Sequence, residues 1–362
     1  MADLSADDGS EFIFDPGGQY SEDPGDIVMF PTIDTLVAAA AHIGINIIEG
    51  ADRILAPWEF HRQLFAIVTH PRPAILCISE LRCPINMALM DQVVTFVETW
   101  NSERINPSAA MYMTDDGDLT LKFSTYFPLA AGASFAQVSD FMLRSCEVTE
   151  MAMTQLIEQL GDNIFSFDDL IAARDDDKAL RQPLLHPRNI DGDPDTHFED
   201  PTTMELFLDS AEPPAVFSEE LEEVSIDLIA SAWAKRGIDN VEKHEDFIIT
   251  GINNILMAAF IDNGPSILLR GHWDCSFPAE QHLKAFLISN DWNRTSTWTR
   301  ALWVEEEEGL QLRVECALPT SYGLTADQLA EVVNDSTQAI LKAIDLLSVE
   351  ISGSSAVHWP EQ

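Results

Sequence analysis

The feature that most constrains the fold of this chain is an internal repeat. Residues 74–101, AILCISELRCPINMALMDQVVTFVETWN, align without a gap with residues 266–293, SILLRGHWDCSFPAEQHLKAFLISNDWN. Both stretches run from an apolar segment through a cysteine and a proline into a helix-like segment that ends in Trp-Asn, and Trp100 and Trp292 are 192 residues apart. Self-similarity at this spacing predicts a duplicated domain, so we expect each half to form the same fold.

Each half has the same predicted order of elements: helix, three strands, helix, two strands, helix. Apolar residues at spacings of three and four predict the helices, and short β-branched runs between proline and glycine breaks predict the strands. Five short antiparallel strands with helices on one side define a two-layer α+β domain. The predicted segments of the first unit are a helix from Asp34 after a Pro-Thr cap signal, strands 47–55, 64–69 and 74–80, a helix from Pro84 to Trp100, a hairpin turning at Asp116-Gly117, and a helix 134–160 capped by Ser134.

The second unit repeats this order. Its predicted segments are a helix 218–235 stopped by Gly237, strands 241–250, 255–261 and 266–273 with a turn at 262–264, a helix 278–292, a hairpin, and a helix 325–347 followed by a loose tail.

Composition sets the boundaries of the two units. Residues 1–30 carry eight acids and no Lys or Arg, which predicts a disordered tail. Residues 162–217 are acidic and proline-rich, which predicts an extended linker. The expected domains are therefore 31–161 and 218–350, with a short tail at 351–362.

Charge limits the classes of partner. The formal net charge is −41, from 61 acidic and 20 basic residues. Such a field repels nucleic-acid phosphates and anionic membranes, so neither is expected as a partner. It is compatible with a basic protein partner, but solubility at high negative charge is the more common reason for such a composition. The five cysteines form no C-x-x-C pair, the N-terminus has no apolar leader, and no apolar run is long enough to span a bilayer, so we expect a cytoplasmic location.

The order of elements, the Trp-Asn helix ends, the acidic hairpin turn and the Gly-Leu-Thr start of the last helix at residues 323–325 resemble the YbjN family. The resemblance covers most of residues 31–160 and 219–347. It implies a type III secretion chaperone-like fold in two tandem copies, a role in regulation or client binding, and no catalytic residues. The first unit departs from it where Ala130-Ala131 replaces Ser321-Tyr322, and by one extra residue between Asn101 and Tyr112.

Few motifs point to chemistry. We interpret Trp100 and Trp292 as core residues and Asn101 and Asn293 as left-handed helix caps, rather than as a binding surface. Asp191-Gly192-Asp193-Pro194-Asp195 resembles a calcium loop, but Thr196 and Thr202 stand where glycine and glutamate are required. No nucleotide, metal or nucleophile signature is present, so we predict no catalytic residue, cofactor or metal.

The sequence therefore predicts a non-enzymatic protein-interaction module, chaperone-like or regulatory. The alternative is a small-molecule sensor that binds its ligand between the units. We expect the units to pack as an internal pseudo-dimer within a monomer or homodimer. Apolar residues of a linker island are candidates for docking on a unit or a partner: Met204, Phe207, Leu208 and Phe217.

Overall fold

The structure, a computed structural model, contains two units of the same α+β architecture. It describes residues 28–70, 72–161, 164–165, 220–262, 265–307 and 309–359. The predictions for the N-terminal tail before residue 28, for almost all of the linker and for the turn residues 263–264 lie outside these ranges.

The first unit consists of a six-stranded antiparallel sheet and three α-helices, with a 3₁₀ turn at Met87–Leu89 before the second helix. Its elements are α1 (Ile33–His42), β1 (Ile48–Glu49), β2 (Arg53–Pro57), β3 (His61–Val68), β4 (Ala74–Leu81), α2 (Met90–Glu103), β5 (Ser108–Met113), β6 (Leu119–Pro128) and α3 (Phe135–Leu160).

The second unit repeats this set, with a 3₁₀ turn at Ala279–Gln281. Its elements are α4 (Ile226–Ala234), β7 (Val241–Lys243), β8 (Phe247–Ile252), β9 (Ile255–Asp262), β10 (Ser266–Phe277), α5 (His282–Thr295), β11 (Arg300–Glu306), β12 (Gly309–Pro319) and α6 (Ala326–Ser352).

Both sheets have the same strand order. It is β1-β2-β3-β4-β6-β5 in the first unit and the mirrored listing β11-β12-β10-β9-β8-β7 in the second. The last hairpin therefore inserts its second strand beside the central strand and leaves β5 and β11 at one edge of each sheet. These two edge strands take part in one of the contacts between the units.

The two-layer α+β class is confirmed, but the predicted count of five strands is wrong. The segment read as one strand at 47–55 turns back at Gly50, whose N–H donates to Arg53 O at 2.8 Å. The segment read as 241–250 likewise turns at His244, whose N–H donates to Phe247 O at 2.8 Å. Both turns are short and polar, and the β-branched residues around them concealed the break.

Helix starts were predicted well where a capping side chain marks them. Ser134 accepts from the N–H of Gln137 at 3.2 Å, which confirms it as the N-cap of α3. The predicted start of the second helix at Pro84 is wrong, because Ile85 pairs with Leu119 in a β-bridge and the α-helix begins only at Met90. The first helix of the second unit begins at Ile226, after the Ser225 cap, instead of at Ser218.

The end of the last helix also differs from the prediction. α6 continues to Ser352, and the chain behind it returns to pack, with Val357 buried and the His358 N–H donating to Asn253 O at 3.0 Å. The segment predicted to be loose therefore has fixed contacts as far as residue 358.

The cores of the two units are continuous. One cluster of buried apolar side chains contains Ile54, Phe65 and Phe141 of the first unit together with Ile267, Leu312 and Ile344 of the second. A second cluster around Trp100 includes Phe286, which α5 inserts from the other unit. Within the described ranges, no helix combines the length and the apolar character required to cross a membrane.

Candidate functional site

Two buried glutamines join the units at the start of their long helices. Gln137 and Gln328 each lie at the third position of a capping box, so each side chain accepts from the N–H of its own N-cap residue, Ser134 or Thr325. Their Nε2 and Oε1 atoms also exchange hydrogen bonds at 3.1 and 3.0 Å. The same Nε2 atoms reach the opposite unit's glycine turn, Gln137 to Gly323 O at 2.9 Å and Gln328 to Gly132 O at 3.0 Å.

The second contact is made by crossed helices and edge strands. α2 packs against β5 of its own unit and β11 of the other, and α5 packs against β11 and β5 in the same way. Phe286 of α5 is buried in the first unit's core. Each helix therefore covers one edge strand of both sheets, which limits the access of other strands to these edges.

The Trp-Asn pairs organise this contact, but the asparagines are not helix caps. Asn101 lies inside α2, where its side chain accepts from the Ala109 N–H at 2.9 Å and donates to Ala109 O at 2.8 Å. Asn293 holds Ala301 in the same way, at 2.7 and 2.9 Å. A carboxamide carries an acceptor and a donor side by side, so it can pair with both outward groups of an edge-strand residue. The cap interpretation is therefore wrong.

The two tryptophans differ in burial. Trp100 is fully buried as predicted and donates to Pro107 O at 2.9 Å, whereas Trp292 is only partly buried and donates to the Thr299 hydroxyl at 2.9 Å.

The matching Asn101–Ala109 and Asn293–Ala301 hydrogen bonds also show where the extra residue of the first unit lies. Both pairs are eight residues apart, so the offset of 192 persists into the edge strands. The offset changes only at the hairpin turn. The last β5–β6 pair is Met113 with Leu119, and the equivalent β11–β12 pair is Glu305 with Leu310, so the offset falls from 192 to 191 across the turn. The extra residue lies in the Thr114–Asp118 turn, and the predicted position before Tyr112 is wrong.

A cluster of buried charged side chains includes Arg300 of the edge strand β11. Glu315 of β12 is 3% exposed and accepts from Arg270 Nε at 2.6 Å and from Arg300 Nη2. Burial alone would raise the pKa of the Glu315 carboxyl, but the two guanidinium groups outweigh it and the pKa is lowered. Arg300 also donates to Arg104 O of the first unit, so the cluster extends across the contact.

An aromatic pair also joins the two units. The rings of Tyr126 and Trp298 lie 4.5 Å apart between centroids, and the Arg72 guanidinium lies 5.9 Å from the Trp298 ring. Nearby, Lys122 Nζ donates to Arg294 O at 2.9 Å. Burial lowers the pKa of Lys122 and raises that of the Cys316 thiol to about 12, so this thiol stays protonated and unreactive.

A cleft of about 180 Å³ opens between α2, α5 and β11. Its polar side includes Glu98 and His282, whose Oε1 and Nε2 atoms are 3.0 Å apart across the two units. Burial raises the pKa of the Glu98 carboxyl, and the charge of His282 partly opposes this. The remaining lining comes largely from the Asn101 and Asn293 helices and from Ala301–Trp303 of the edge strand.

The first unit also contains a buried histidine away from the contact. His61 of β3 is fully buried and stacks on Trp58 with 5.9 Å between ring centroids. Burial, followed by the charge of Arg82, lowers the His61 pKa to about 3. Its Nδ1 lies 3.5 Å from Glu150 Oε1, and neither ring nitrogen has a hydrogen-bond partner within the described residues. The histidine is therefore neutral at pH 7.

The other predicted site residues fall outside the structure's description. The linker residues Met204, Phe207, Leu208 and Phe217 and the calcium-like run 191–195 are not among the described residues. Within the described ranges, no group of three His, Cys, Asp or Glu side chains is placed to hold a metal ion.

These features define a tandem α+β protein in which two copies of one unit share a core and cover each other's strand edges. The sequence profile of YbjN, described as "Putative bacterial sensory transduction regulator", matches residues 32–158 and again residues 225–348. The matches span more than half of the chain, so it belongs to the YbjN family and carries two copies of the family's domain.

One solved structure with detectable similarity is the crystal structure of YbjN from E. coli, described as "a putative transcription regulator". It is 16% identical, with a TM-score of 0.32, over 35% of this chain and 93% of that one. No curated protein matches this chain.

The residues that join the units carry no signal in the sequence for that role. The capping boxes Ser134–Gln137 and Thr325–Gln328 were visible as helix starts, but nothing local shows that their amides meet. The gap-free repeat alignment does show that Glu98 occupies the position equivalent to Asn290. This difference in residue type between the two units was the available signal for the cleft.

Proposed function

We propose that this chain is a non-enzymatic regulatory module that binds a basic protein partner on the outer face of α5. The family's description as a regulator supports the general role. The observation that carries the specific proposal is a pair of exposed leucines, Leu283 and Leu287, which are 56% and 47% exposed. They are four residues apart and so lie on one face of the helix.

The fold does not require leucine at these positions. The residues that align with Leu283 and Leu287 in the first unit are Asp91 and Thr95 on α2, which occupy the same places in the same element. Met113, at the end of the strand that α5 covers, is 62% exposed. Apolar side chains at i and i+4 on an exposed helix are a usual anchor for a protein partner.

Charge argues for a basic partner. With 61 acids and 20 bases, the chain produces a negative field that accelerates association with a basic protein and disfavours an acidic one. Complete burial of an exposed leucine contributes about 1.5–3 kcal/mol, and because Leu283 and Leu287 are already about half buried, each supplies roughly half of that, while the field supplies the association rate.

We also propose that the two units act together as an internal pseudo-dimer. The buried Gln137–Gln328 pair and the insertion of Phe286 support this arrangement. Analytical ultracentrifugation and small-angle scattering test it. A compact particle of one chain or of two chains is expected, whereas two lobes separated by a flexible tether would contradict it. The free thiols support a cytoplasmic location for this module.

The partner site is tested by placing a photo-crosslinking residue at Leu287 and, as a matched control, at Leu256 of β9, which is 49% exposed. We expect a crosslinked protein at Leu287 and none at Leu256. The captured protein is then purified, and its affinity is measured for Leu283→Ser/Leu287→Ser and for Leu256→Ser. A loss of at least tenfold in the double variant alone supports the site, and equal affinities contradict it.

A small-molecule sensor is the second candidate function. One observation favours it: the cleft of about 180 Å³ with Glu98 and His282 at its polar side lies between the units, where a ligand contacts both. A ligand in this position stabilises the closed pair of units and so changes the surface that a partner meets.

A further inference from the structure

The cleft between α2, α5 and β11 is the place where the symmetry of the two units fails. On one side, Asn290 of α5 faces the edge strand β5, accepts from the Met111 N–H at 2.8 Å and donates to Met111 O at 2.8 Å. In the repeat alignment, Glu98 is the equivalent of Asn290, and Trp303 of β11 is the equivalent of Met111. Both Glu98 and Trp303 line the cleft.

Glutamate cannot replace asparagine in this role. An ionised carboxylate only accepts hydrogen bonds, so it can serve a main-chain N–H but not the neighbouring carbonyl. Glu98 instead lies 3.0 Å from His282 Nε2 of the other unit. The space that the Asn290 carboxamide fills on one side is an open cleft on the other.

The main-chain groups of Trp303 point toward this cleft. Ala301, two residues earlier on the same strand, directs its N–H and C=O away from β12 and toward Asn293. Residues two apart in an antiparallel strand direct these groups to the same side, and the β11–β12 register has no shift between them. Among the described residues, none forms a hydrogen bond with the outward N–H and C=O of Trp303.

We propose that the cleft binds a small molecule that carries a carboxamide and an amine. The carboxamide pairs with the N–H and C=O of Trp303 as Asn290 pairs with Met111, and the ammonium group pairs with the Glu98 carboxylate. This inference rests on the sensor function and specifies its ligand class. The volume of about 180 Å³ equals about six waters and accepts a molecule of amino-acid size.

A peptide strand fits this edge less well than a small molecule. Strand addition uses the outward groups of successive alternate residues along an edge strand. Asn293 already holds both groups of Ala301, so a strand pairing at Trp303 cannot continue past it. The N–H and C=O of Trp303 form one isolated donor–acceptor pair beside the Glu98 carboxylate. This arrangement matches a ligand with a single amide group and a nearby cation.

The first test supplies the missing amide from the protein. Glu98→Asn should pair with Trp303, raise the melting temperature by several degrees and lower the affinity for glycinamide at least tenfold. Glu98→Gln removes the same charge with a side chain of the original length, so it should lower the affinity for glycinamide without raising the melting temperature. Glu103→Asn removes an exposed acid from the same helix and should leave that affinity unchanged. If Glu98→Asn binds glycinamide as well as the unsubstituted chain does, the proposed ligand position is wrong.

The second test uses a matched ligand series on the full chain, followed by ligand-observed NMR and calorimetry at low salt. Glycinamide carries both groups, acetamide lacks the ammonium, methylamine lacks the amide, and glycine replaces the amide with a carboxylate. We expect glycinamide to bind at least tenfold more tightly than the other three. Equal binding of glycinamide and methylamine would refute the amide contact while leaving a ligand site in place.

Two further outcomes distinguish a failure of the small-molecule proposal from a failure of the sensor function. If triglycinamide binds and glycinamide does not, the edge accepts a strand and the small-molecule proposal is overturned. If none of these compounds binds, and a library of small cellular metabolites also gives no response that Glu98→Asn removes, the sensor function itself fails.

Discussion

Gln137 and Gln328 cap their own helices and at the same time hold each other, with amide contacts of 3.0 and 3.1 Å across the two units. Each side chain is 4% exposed, so every bond it forms is shielded from water. Because each amide also donates to the opposite glycine turn, helix capping and unit pairing depend on the same atoms. Loss of either glutamine therefore affects both.

Truncation of this pair should show strong coupling. Gln137→Ala leaves the Gly323 carbonyl and the Ser134 N–H without their partners and removes both bonds between the two amides, so we expect a loss of about 1–3 kcal/mol in the free energy of unfolding. Gln328→Ala should cost a similar amount, and the double variant should cost less than the sum. Urea denaturation of the three variants measures this. Gln159→Ala, on the exposed end of α3, is the control, and strictly additive losses would contradict the coupling.

The buried charge cluster makes a second prediction. Glu315→Gln leaves Arg300 charged and buried without its anion, so we expect a loss of about 3–5 kcal/mol in the free energy of unfolding. Glu306→Gln is the matched control, since Glu306 is half exposed and its oxygen lies 3.5 Å from Arg313. It should cost less than about 1 kcal/mol. Similar losses for both variants in guanidinium denaturation would show that the burial of Glu315 is not decisive.

The close approach of α6 to β10 predicts the effect of one added methyl group. A Cβ at Gly271 would lie 2.3 Å from Ile340 Cγ2 and 2.8 Å from Ile344 Cδ1, both in the core. We expect Gly271→Ala to destabilise the protein by about 1–3 kcal/mol through overpacking. Gly251→Ala has open space around the added carbon and should be neutral or slightly stabilising. Thermal unfolding of the two variants distinguishes packing from a general effect of replacing glycine.

His61 predicts a dependence of stability on pH. Its pKa is about 3 in the folded chain against an ordinary value of 6.5, so below pH 6.5 the unfolded chain binds the proton and the folded chain does not. This contribution to stability is complete above pH 6.5 and falls as the pH decreases toward 3. Between pH 7.5 and pH 5 the loss should reach about 2 kcal/mol.

Replacement of this histidine isolates the effect from the many acids that titrate in the same range. His61→Phe should show a smaller loss of unfolding free energy than the unsubstituted chain between pH 7.5 and pH 5, whereas the exposed His70→Phe should show the same loss. Identical pH profiles for His61→Phe and the unsubstituted chain would contradict the assignment. Denaturation at fixed ionic strength at each pH gives the comparison.

Several parts of the fold were predictable because their signals are local. The N-cap at Ser134, the tight turn at Asp116-Gly117 and the helix stop at Gly237 depend on residues within a few positions, and the structure confirms each. The strand count was wrong because Gly50 and His244 turn the chain within runs that have no proline. The start of α2 was wrong because pairing with the distant Leu119 holds Ile85 in an extended conformation.

The sequence alone determined that the chain is duplicated, that each copy is an α+β unit, and that the family is YbjN, since repetition and hydrophobic periodicity are properties of the chain itself. Only the tertiary structure decided what the conspicuous residues do. Asn101 and Asn293 hold edge strands instead of ending helices, and the substitution of Glu98 for Asn290 opens a cleft. The physical reason is that the fold decides which main-chain groups come within about 3 Å of a carboxamide or carboxylate, and the two residues joined in this way are up to 196 positions apart.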